Sequence, residues 1–324
     1  MALFAGFDLG GTGLKAGLVG EGGGIVSRTQ APTPPSAGEF FALVETIWEE
    51  LLEGAGEPIA AAGLGLPGIF DLESRRVLQS PHTGGLDGVD VEPELERRLG
   101  VPVRADNDAN LAAYAEWLYG AGKGAENMVL LTIGTGIGAG VIADGKLLRG
   151  GKGYAGEAGH MPVRPDGEPC PCGGRGCLET EASARAIVRR YRRAAAIEGP
   201  LTAEDVQRRA AAGDEAAREA VIESARWLGI GLAGLINLLN PERILLGGGV
   251  AEAGDDWLRA AAEEAGRRAF PGAFRACRIG RAALGNDAGL IGAAAWAAGP
   301  RPEKIKPEAT FGRQNVYGND EETS

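Results

Sequence analysis

The chain has 324 residues, 44% of them hydrophobic, and a formal net charge of −11. That is enough apolar material for a sizeable core and enough length for roughly two domains. So acidic a chain lacks the clustered Lys and Arg of a nucleic-acid footprint, and no apolar run of membrane-spanning length is free of Gly or charge, so neither nucleic acid nor membrane is an expected partner.

The opening "LFAGFDLGGTGLKAGLVGEGGGIV" reads as strand, glycine turn, strand, turn, strand. "MALFAGFDLGG" has no basic leader and enters a strand pattern at once, so no signal peptide is expected, and a small number of cysteines suits a reducing, cytoplasmic setting. The spacing of Phe40, Phe41, Val44, Ile47, Trp48 and Leu51 predicts a helix ending at Gly. "IAAAGLGLPGIFD" is a buried strand running into a Leu-Pro-Gly turn, "VDVEPELERRLG" a helix closing at Gly100, and "VPVRAD" a short strand. A helix follows from "NDANLAAYAEWLYGAG", with its Asp and Asn residues where N-caps belong. A second pair of strands with a Gly/Thr tip returns in "MVLLTIGTGIGAGVIADGKLLRG", residues 128–150. Ala/Arg-rich helices run to about residue 239, then a strand in "PERILLGGGVAE", another helix, and a last apolar helix in "LGNDAGLIGAAAWAAG". From Pro300 the chain is polar and aperiodic, and residues 300–324 read as a tail.

Alternating strands and helices predict an α/β protein with two lobes, 1–115 and 116–286, the last helix (about 287–299) returning to the first. The two glycine-rich hairpin tips carry more glycine than a tight turn needs. Stripped of side chains, their backbone N–H groups can approach an anion, so they read as an internal duplication that grips a polyphosphate from two sides. Gly10, Gly11 and Thr12 form the first tip, Thr135 and Gly136 the second. Asp8, just before the first, is placed to hold Mg²⁺ beside phosphates. Lys15 either adds charge there or turns to solvent.

Between His160 and Cys177 the spacing is H-x9-C-x-C-x4-C. Three thiolates and an imidazole, from His160, Cys170, Cys172 and Cys177, form the ligand set of a closed tetrahedral zinc site, and Pro169, Pro171, Gly173, Gly174 and Gly176 let a short loop fold around an ion. The fourth cysteine, Cys277, lies far downstream.

Taken in order, "DLGGTGLKAGLV", "GLGLPGIFD", "DNDANLAAYAE", "TIGTGIGAG", "EAGH", "CPCGGRGCLE" and "LLGGGV" resemble the ROK family of sugar kinases over about residues 4–298, with bacterial glucokinases as the nearest pattern. The resemblance implies a two-lobed actin-like ATPase (ribonuclease H-like) fold. It also implies transfer of a phosphoryl group from ATP with Mg²⁺ to the 6-hydroxyl of a hexose, glucose first, with a homodimer or homotetramer as the assembly. It makes Asp108 the general base and assigns the sugar to Gly68, Asn107, Asp108, Glu157, His160 and Glu179. Gly247 and Gly248 fall on the nucleoside side. Asp106 reads instead as a helix cap. Some relatives are repressors with an N-terminal helix-turn-helix, for which this chain shows no segment. The zinc becomes structural, pinning a loop whose two ends carry sugar ligands while the phosphate loops lie elsewhere in the sequence. "SPHTGGLDG", with His82 and Thr83, departs from an Asn-containing segment of many relatives. If that segment touches the sugar, the preferred hexose differs from glucose; otherwise His82 is an exposed loop histidine. Independently, N-acetylmannosamine or fructose are other acceptors, polyphosphate another donor, and a non-catalytic sugar sensor or a zinc-stabilised interaction module other classes.

Overall fold

The computed structural model describes residues 2–71, 73–80, 85–252 and 254–299, so His82, Thr83 and the polar segment from 300 lie outside the described residues. Strand β1 (Leu3–Leu9) is buried along almost its whole length, the mark of a strand covered on both faces. It pairs antiparallel with β2 (Gly13–Gly20), which pairs with β3 (Ile25–Pro32). Helix α1 (Ala37–Ala55) follows, its N-cap Ser36 accepting from Glu39 N. It leads to β4 (Ile59–Leu66), parallel to β1. After the small hairpin β5 (Ile69–Asp71) and β6 (Arg76–Gln79), α2 (Val91–Leu99) returns the chain to β7 (Val103–Asn107), parallel to β4. The sheet order is β3-β2-β1-β4-β7.

After α3 (Asp108–Tyr119) the same plan is repeated. Strands β8 (Met128–Ile133), β9 (Ile137–Ala143) and β10 (Lys146–Leu147) form an antiparallel run. Helices α4 (Leu178–Ala182), α5 (Ala184–Ala195), α6 (Ala203–Ala211) and α7 (Glu215–Leu239) precede β11 (Arg243–Gly247), parallel to β8. Helices α8 (Asp255–Arg268) and α9 (Pro271–Ala276) precede β12 (Arg278–Arg281), and α10 (Ala288–Ala298) ends the described chain. The order β10-β9-β8-β11-β12 matches the first sheet strand for strand, so the duplication read from the two hairpin tips extends to whole sheets. Helix α7 is long and apolar enough to cross a membrane, but its buried stripe packs against α4, α5, α6 and α8 as the core helix of this half.

The period-2 geometry of β1 places Leu3, Ala5, Phe7 and Leu9 in one core with α1, while Gly6 and Asp8 face α10. Helix α10 lies directly on the sheet because a Cβ at Gly6 would sit 2.2 Å from Leu290 O, and one at Gly63 would sit 1.8 Å from Ala293 O. In β8, Val129, Leu131 and Ile133 join the core of α4–α8, whereas Met128 and Leu130 pack towards α3. Glycine serves the same purpose there, since a Cβ at Gly140 would sit 2.7 Å from Ala109 O. Helices α3 and α10 therefore pack together between the two sheets, and a Cβ at Gly292 would meet Leu111 O at 1.9 Å.

Candidate active site

Both hairpin tips open onto the end of this central layer where α3 begins. In the first, Gly10 N donates to Gly13 O at 2.8 Å, and the Thr33 hydroxyl donates to Gly10 O at 2.6 Å. In the second, Gly134 N donates to Gly136 O at 2.9 Å. Gly11, Thr12 and Thr135 are exposed at these tips. Gly248 has φ 84° and lies against Ile133 at the end of β8, where a Cβ would meet Ile133 O at 2.5 Å. Gly247 and Gly248 thus close the far side of the second tip with bare backbone.

Asp8 and Asp108 flank Gly65 of β4. A Cβ on Gly65 would lie 3.6 Å from Asp8 Oδ1 and 3.5 Å from Asp108 Cα. Burial raises the Asp8 pKa, and Lys15, whose Nζ is 3.8 Å from Asp8 Oδ2, partly offsets it. Lys15 also donates to Asn286 O at 2.8 Å, so the side chain leans towards Asp8 and the α10 end while remaining partly exposed. Asp108 is half-buried at the first turn of α3. Desolvation first, and then the charges of Asp8 and Glu157, push its pKa up to about 7, against the pull of the Ala109 N–H on its Oδ1 at 2.8 Å. A carboxylate poised near neutrality can take and return a proton.

The helix cap is neither aspartate. Asn107 Oδ1 accepts from Ala109 N at 3.0 Å and Asn110 N at 3.1 Å, and its Nδ2 donates to Gly68 O at 3.0 Å. Asp106, expected to cap α3, instead forms a buried ion pair with Arg149 at 2.7 Å and accepts from Asn110 Nδ2 at 2.9 Å. As the last but one residue of β7 it still follows strand alternation, so its side chain turns under the sheet edge. Gly68, at φ 100°, leaves no room for a side chain, because a Cβ would sit 2.0 Å from Gln79 O.

The cysteine loop closes on itself through Cys170 N to Gly174 O and Gly176 N to Glu168 O, both 2.9 Å, and through bridges pairing Pro162 with Cys177 and Pro169 with Arg175. One ligand atom from each of His160, Cys170, Cys172 and Cys177 lies within 4.8 Å of all the others. His160 Nδ1 to Cys170 Sγ is 3.6 Å and Cys172 Sγ to Cys177 Sγ is 3.7 Å. Zinc bond lengths of about 2.3 Å to sulfur and about 2.0–2.1 Å to nitrogen give tetrahedral edges of about 3.6–3.8 Å, so the four residues fit the ion. With Nδ1 committed to that group, Nε2 faces away from it, 3.8 Å from Glu157 Oε2. Burial, with a smaller push from Glu179, raises the Glu157 pKa, and His160 lowers it.

The loop also reaches the second hairpin tip. Glu179 Oε2 accepts from Ile137 N at 3.0 Å and occupies the space a Gly136 side chain would need, 2.2 Å from its Cβ position. Ala184 N donates to Gly134 O and Arg185 Nε to Thr135 O, both at 2.9 Å. The segment leaving the last cysteine therefore clamps the second hairpin tip. Sequence separation had set the two apart, and this contact was invisible to it. The Asp106–Arg149 pair was likewise missed, since nothing local in "LLRGG" points 43 residues back to β7.

The ROK family model matches residues 4–299. The glucokinase of Halalkalibacterium halodurans is 38% identical over 309 residues, which is 89% of this chain and 93% of that protein. The ROK hexokinase structure from Thermus thermophilus superposes with a TM-score of 0.82 at 37% identity, covering 91% of this chain and 98% of that one. A ROK family glucokinase from Streptomyces griseus, solved with glucose and AMPPNP, gives 0.79 at 36% identity over 92% and 99%. The chain belongs to the ROK family.

Proposed function

We propose that this protein transfers the γ-phosphoryl group of ATP to the 6-hydroxyl of glucose. The observation that carries the reading is Asp108, held near neutrality at the start of α3 and across Gly65 from Asp8. Its Oδ takes the hydroxyl proton as the sugar oxygen attacks phosphorus, and the bond from phosphorus to the departing diphosphate breaks. A sugar sensor needs hydroxyl ligands but has no use for a titrating carboxylate on the phosphate side. The Streptomyces griseus relative, bound to glucose and a non-hydrolysable ATP analogue, supports both substrates.

This reading assigns the sugar hydroxyls to Asn107, Asp108, Glu157, His160 and Glu179, with the Gly68 backbone beside them. With zinc bound at Nδ1, Nε2 of His160 would carry the ring proton and be free to donate it to the sugar. The bare tips Gly10–Thr12 and Thr135–Gly136 receive the phosphates, and Gly247 and Gly248 the nucleoside. Asp8 would hold Mg²⁺, which when bound neutralises phosphate charge. Zinc on His160, Cys170, Cys172 and Cys177 would supply only structure. A homodimer or homotetramer in the cytoplasm completes the proposal.

Asp108→Asn keeps the shape and removes the base. Turnover falls about a hundredfold or more while glucose affinity by calorimetry is unchanged. The wild-type turnover rises with pH through about 7 as Asp108 ionises. Stability runs the other way: the folded pKa lies above the ordinary 3.8, so the stability that protonated Asp108 provides is present at acid pH and is lost as pH rises from about 4 to about 7. Asp108→Asn therefore raises the melting temperature at pH 8 relative to wild type and not at pH 4. Near-normal turnover in this variant would reduce Asp108 to a structural residue.

A further inference from the structure

Arg149 leaves the end of the β9–β10 hairpin, on the second sheet, and crosses to the first half of the molecule. Its Nε donates to Asp106 Oδ2 at 2.7 Å, with only 10% of the Arg149 side chain and 4% of Asp106 exposed. Its guanidinium also lies over the Trp296 ring of α10, 4.1 Å from the centroid, a ring that Arg104 of β7 covers at 3.9 Å. Taking such a pair out of water is costly, and removing one partner strands the other charge. A purely stabilising contact could be built from apolar side chains at lower cost, so the position of the pair is informative.

That position is beneath the proposed base. Asp106 Oδ1 accepts from Asn107 N at 2.8 Å and from Asn110 Nδ2 at 2.9 Å, so it grips the residues on both sides of Asp108. On the other side, Arg149 O accepts from Ala155 N at 3.2 Å, which folds back the loop that carries Glu157. Gly156, at φ 93°, brings that loop against α3, where a Cβ would lie 3.7 Å from Asn110 Oδ1 and 3.1 Å from Ala139 O. One residue thus ties the turn bearing the base to the loop bearing a sugar ligand, across the boundary between the two sheets.

We propose that Arg149, through Asp106, is a positioning residue that sets the proposed base Asp108 against the sugar-side loop of Glu157 and His160. Its side chain is buried against Asp106 and Trp296 and is given no part in holding substrate, and the inference rests on the kinase reading above. Misplacing reacting groups by about 1 Å costs on the order of a hundredfold. Arg149→Met should therefore lower turnover and raise the Michaelis constant for glucose, each by about tenfold or more, with the constant for ATP within about twofold of wild type. Arg149→Lys keeps the charge but not the flat stack on Trp296, and should recover part of the loss. Asp106→Asn should resemble Arg149→Met, and the double variant should be no worse than the poorer single one.

The control is Glu264→Gln on α8, which weakens ion pairs to Arg267 and Arg268 at 2.9 and 2.5 Å within the same helix. It should lower the melting temperature with kinetics unchanged. If Arg149→Met lowers only the melting temperature, or raises both Michaelis constants in proportion, Arg149 is structural and the inference falls. Additive losses in the double variant overturn it as well. All ratios are taken to wild type on whichever sugar it phosphorylates, so a wild-type enzyme inactive on glucose would refute the glucose assignment without touching Arg149.

Discussion

The hairpin closing at Gly10–Thr12 and the one closing at Gly134–Gly136 occupy equivalent places in two sheets of identical strand order, yet their surroundings differ. In the first, Asp8 is two residues before Gly10 and stands opposite Lys15 on β2. In the second, Thr132 is two residues before Gly134 and stands opposite Gly138 on β9. Each faces the central helical layer, so duplication supplied two equivalent positions, and one became a carboxylate while the other became a hydroxyl. The anchoring differs too. The first tip is held by its own half, through Thr33 and the approach of α10, whose Gly289 would place a Cβ 2.5 Å from Asp8 Cγ. The second is held by the segment that leaves the cysteine loop. The proposed function therefore gives the cation to the first tip and couples the second to the cysteine-loop segment. A second carboxylate at Thr132 would repel phosphate instead of recruiting another ion.

The largest effect should come from the carboxylate. Asp8→Asn removes the proposed cation ligand, and turnover with Mg²⁺-ATP over its Michaelis constant should fall about a hundredfold or more. Glucose binding measured without nucleotide should persist, because the proposed sugar ligands, Gly68, Asn107, Asp108, Glu157, His160 and Glu179, do not include Asp8. Were glucose binding lost equally, Asp8 would be a folding residue and the asymmetry of the tips would have another cause.

Next comes the cysteine loop. Cys172→Ala leaves two thiolates and one imidazole, so metal affinity should drop steeply and the loop should regain conformational freedom. On sequence separation alone, only sugar binding would suffer. The contacts of Glu179, Ala184 and Arg185 with Ile137, Gly134 and Thr135 change that expectation. The Michaelis constants for both glucose and ATP should rise, with a lower melting temperature, and metal analysis of the wild type should find close to one zinc per chain. A rise for glucose alone would show that the second tip holds its shape without the clamp. Absence of zinc from protein purified without chelator would end the metal reading.

Much of this architecture was readable beforehand, for physical reasons that also mark where reading stops. Long, strongly periodic segments such as α1 and α7 announce themselves, and the cysteine spacing is local enough to name its ligands. Two glycine-rich tips between apolar strands foretold the duplication. Strand β12, four residues with an arginine at either end, carries no alternation and went unread, as did the short hairpin β5–β6. Asp106 was misjudged because "DNDAN" offers three plausible caps and the deciding partner, Arg149, is remote. Side-chain roles fixed by tertiary contact leave no periodic trace.

The smallest effect should come from the hydroxyl. Thr132→Val keeps the β-branched shape in a strand, where the rest of β8 is already apolar, so folding should be undisturbed. Thr132 is only partly buried, and a Cβ at Gly138 would come 2.8 Å from its Oγ1, so glycine there leaves the hydroxyl uncovered. An uncovered hydroxyl beside the proposed phosphate-binding tip can give one hydrogen bond. A neutral bond of that kind is worth about 0.5–1.5 kcal/mol, or roughly two- to tenfold in the Michaelis constant for ATP. Turnover at saturating ATP and glucose binding should both be unchanged, since neither the cation ligand nor the base is touched. If Thr132→Val proved as damaging as Asp8→Asn, the two tips would share the cation equally, and the division of labour between them would be wrong.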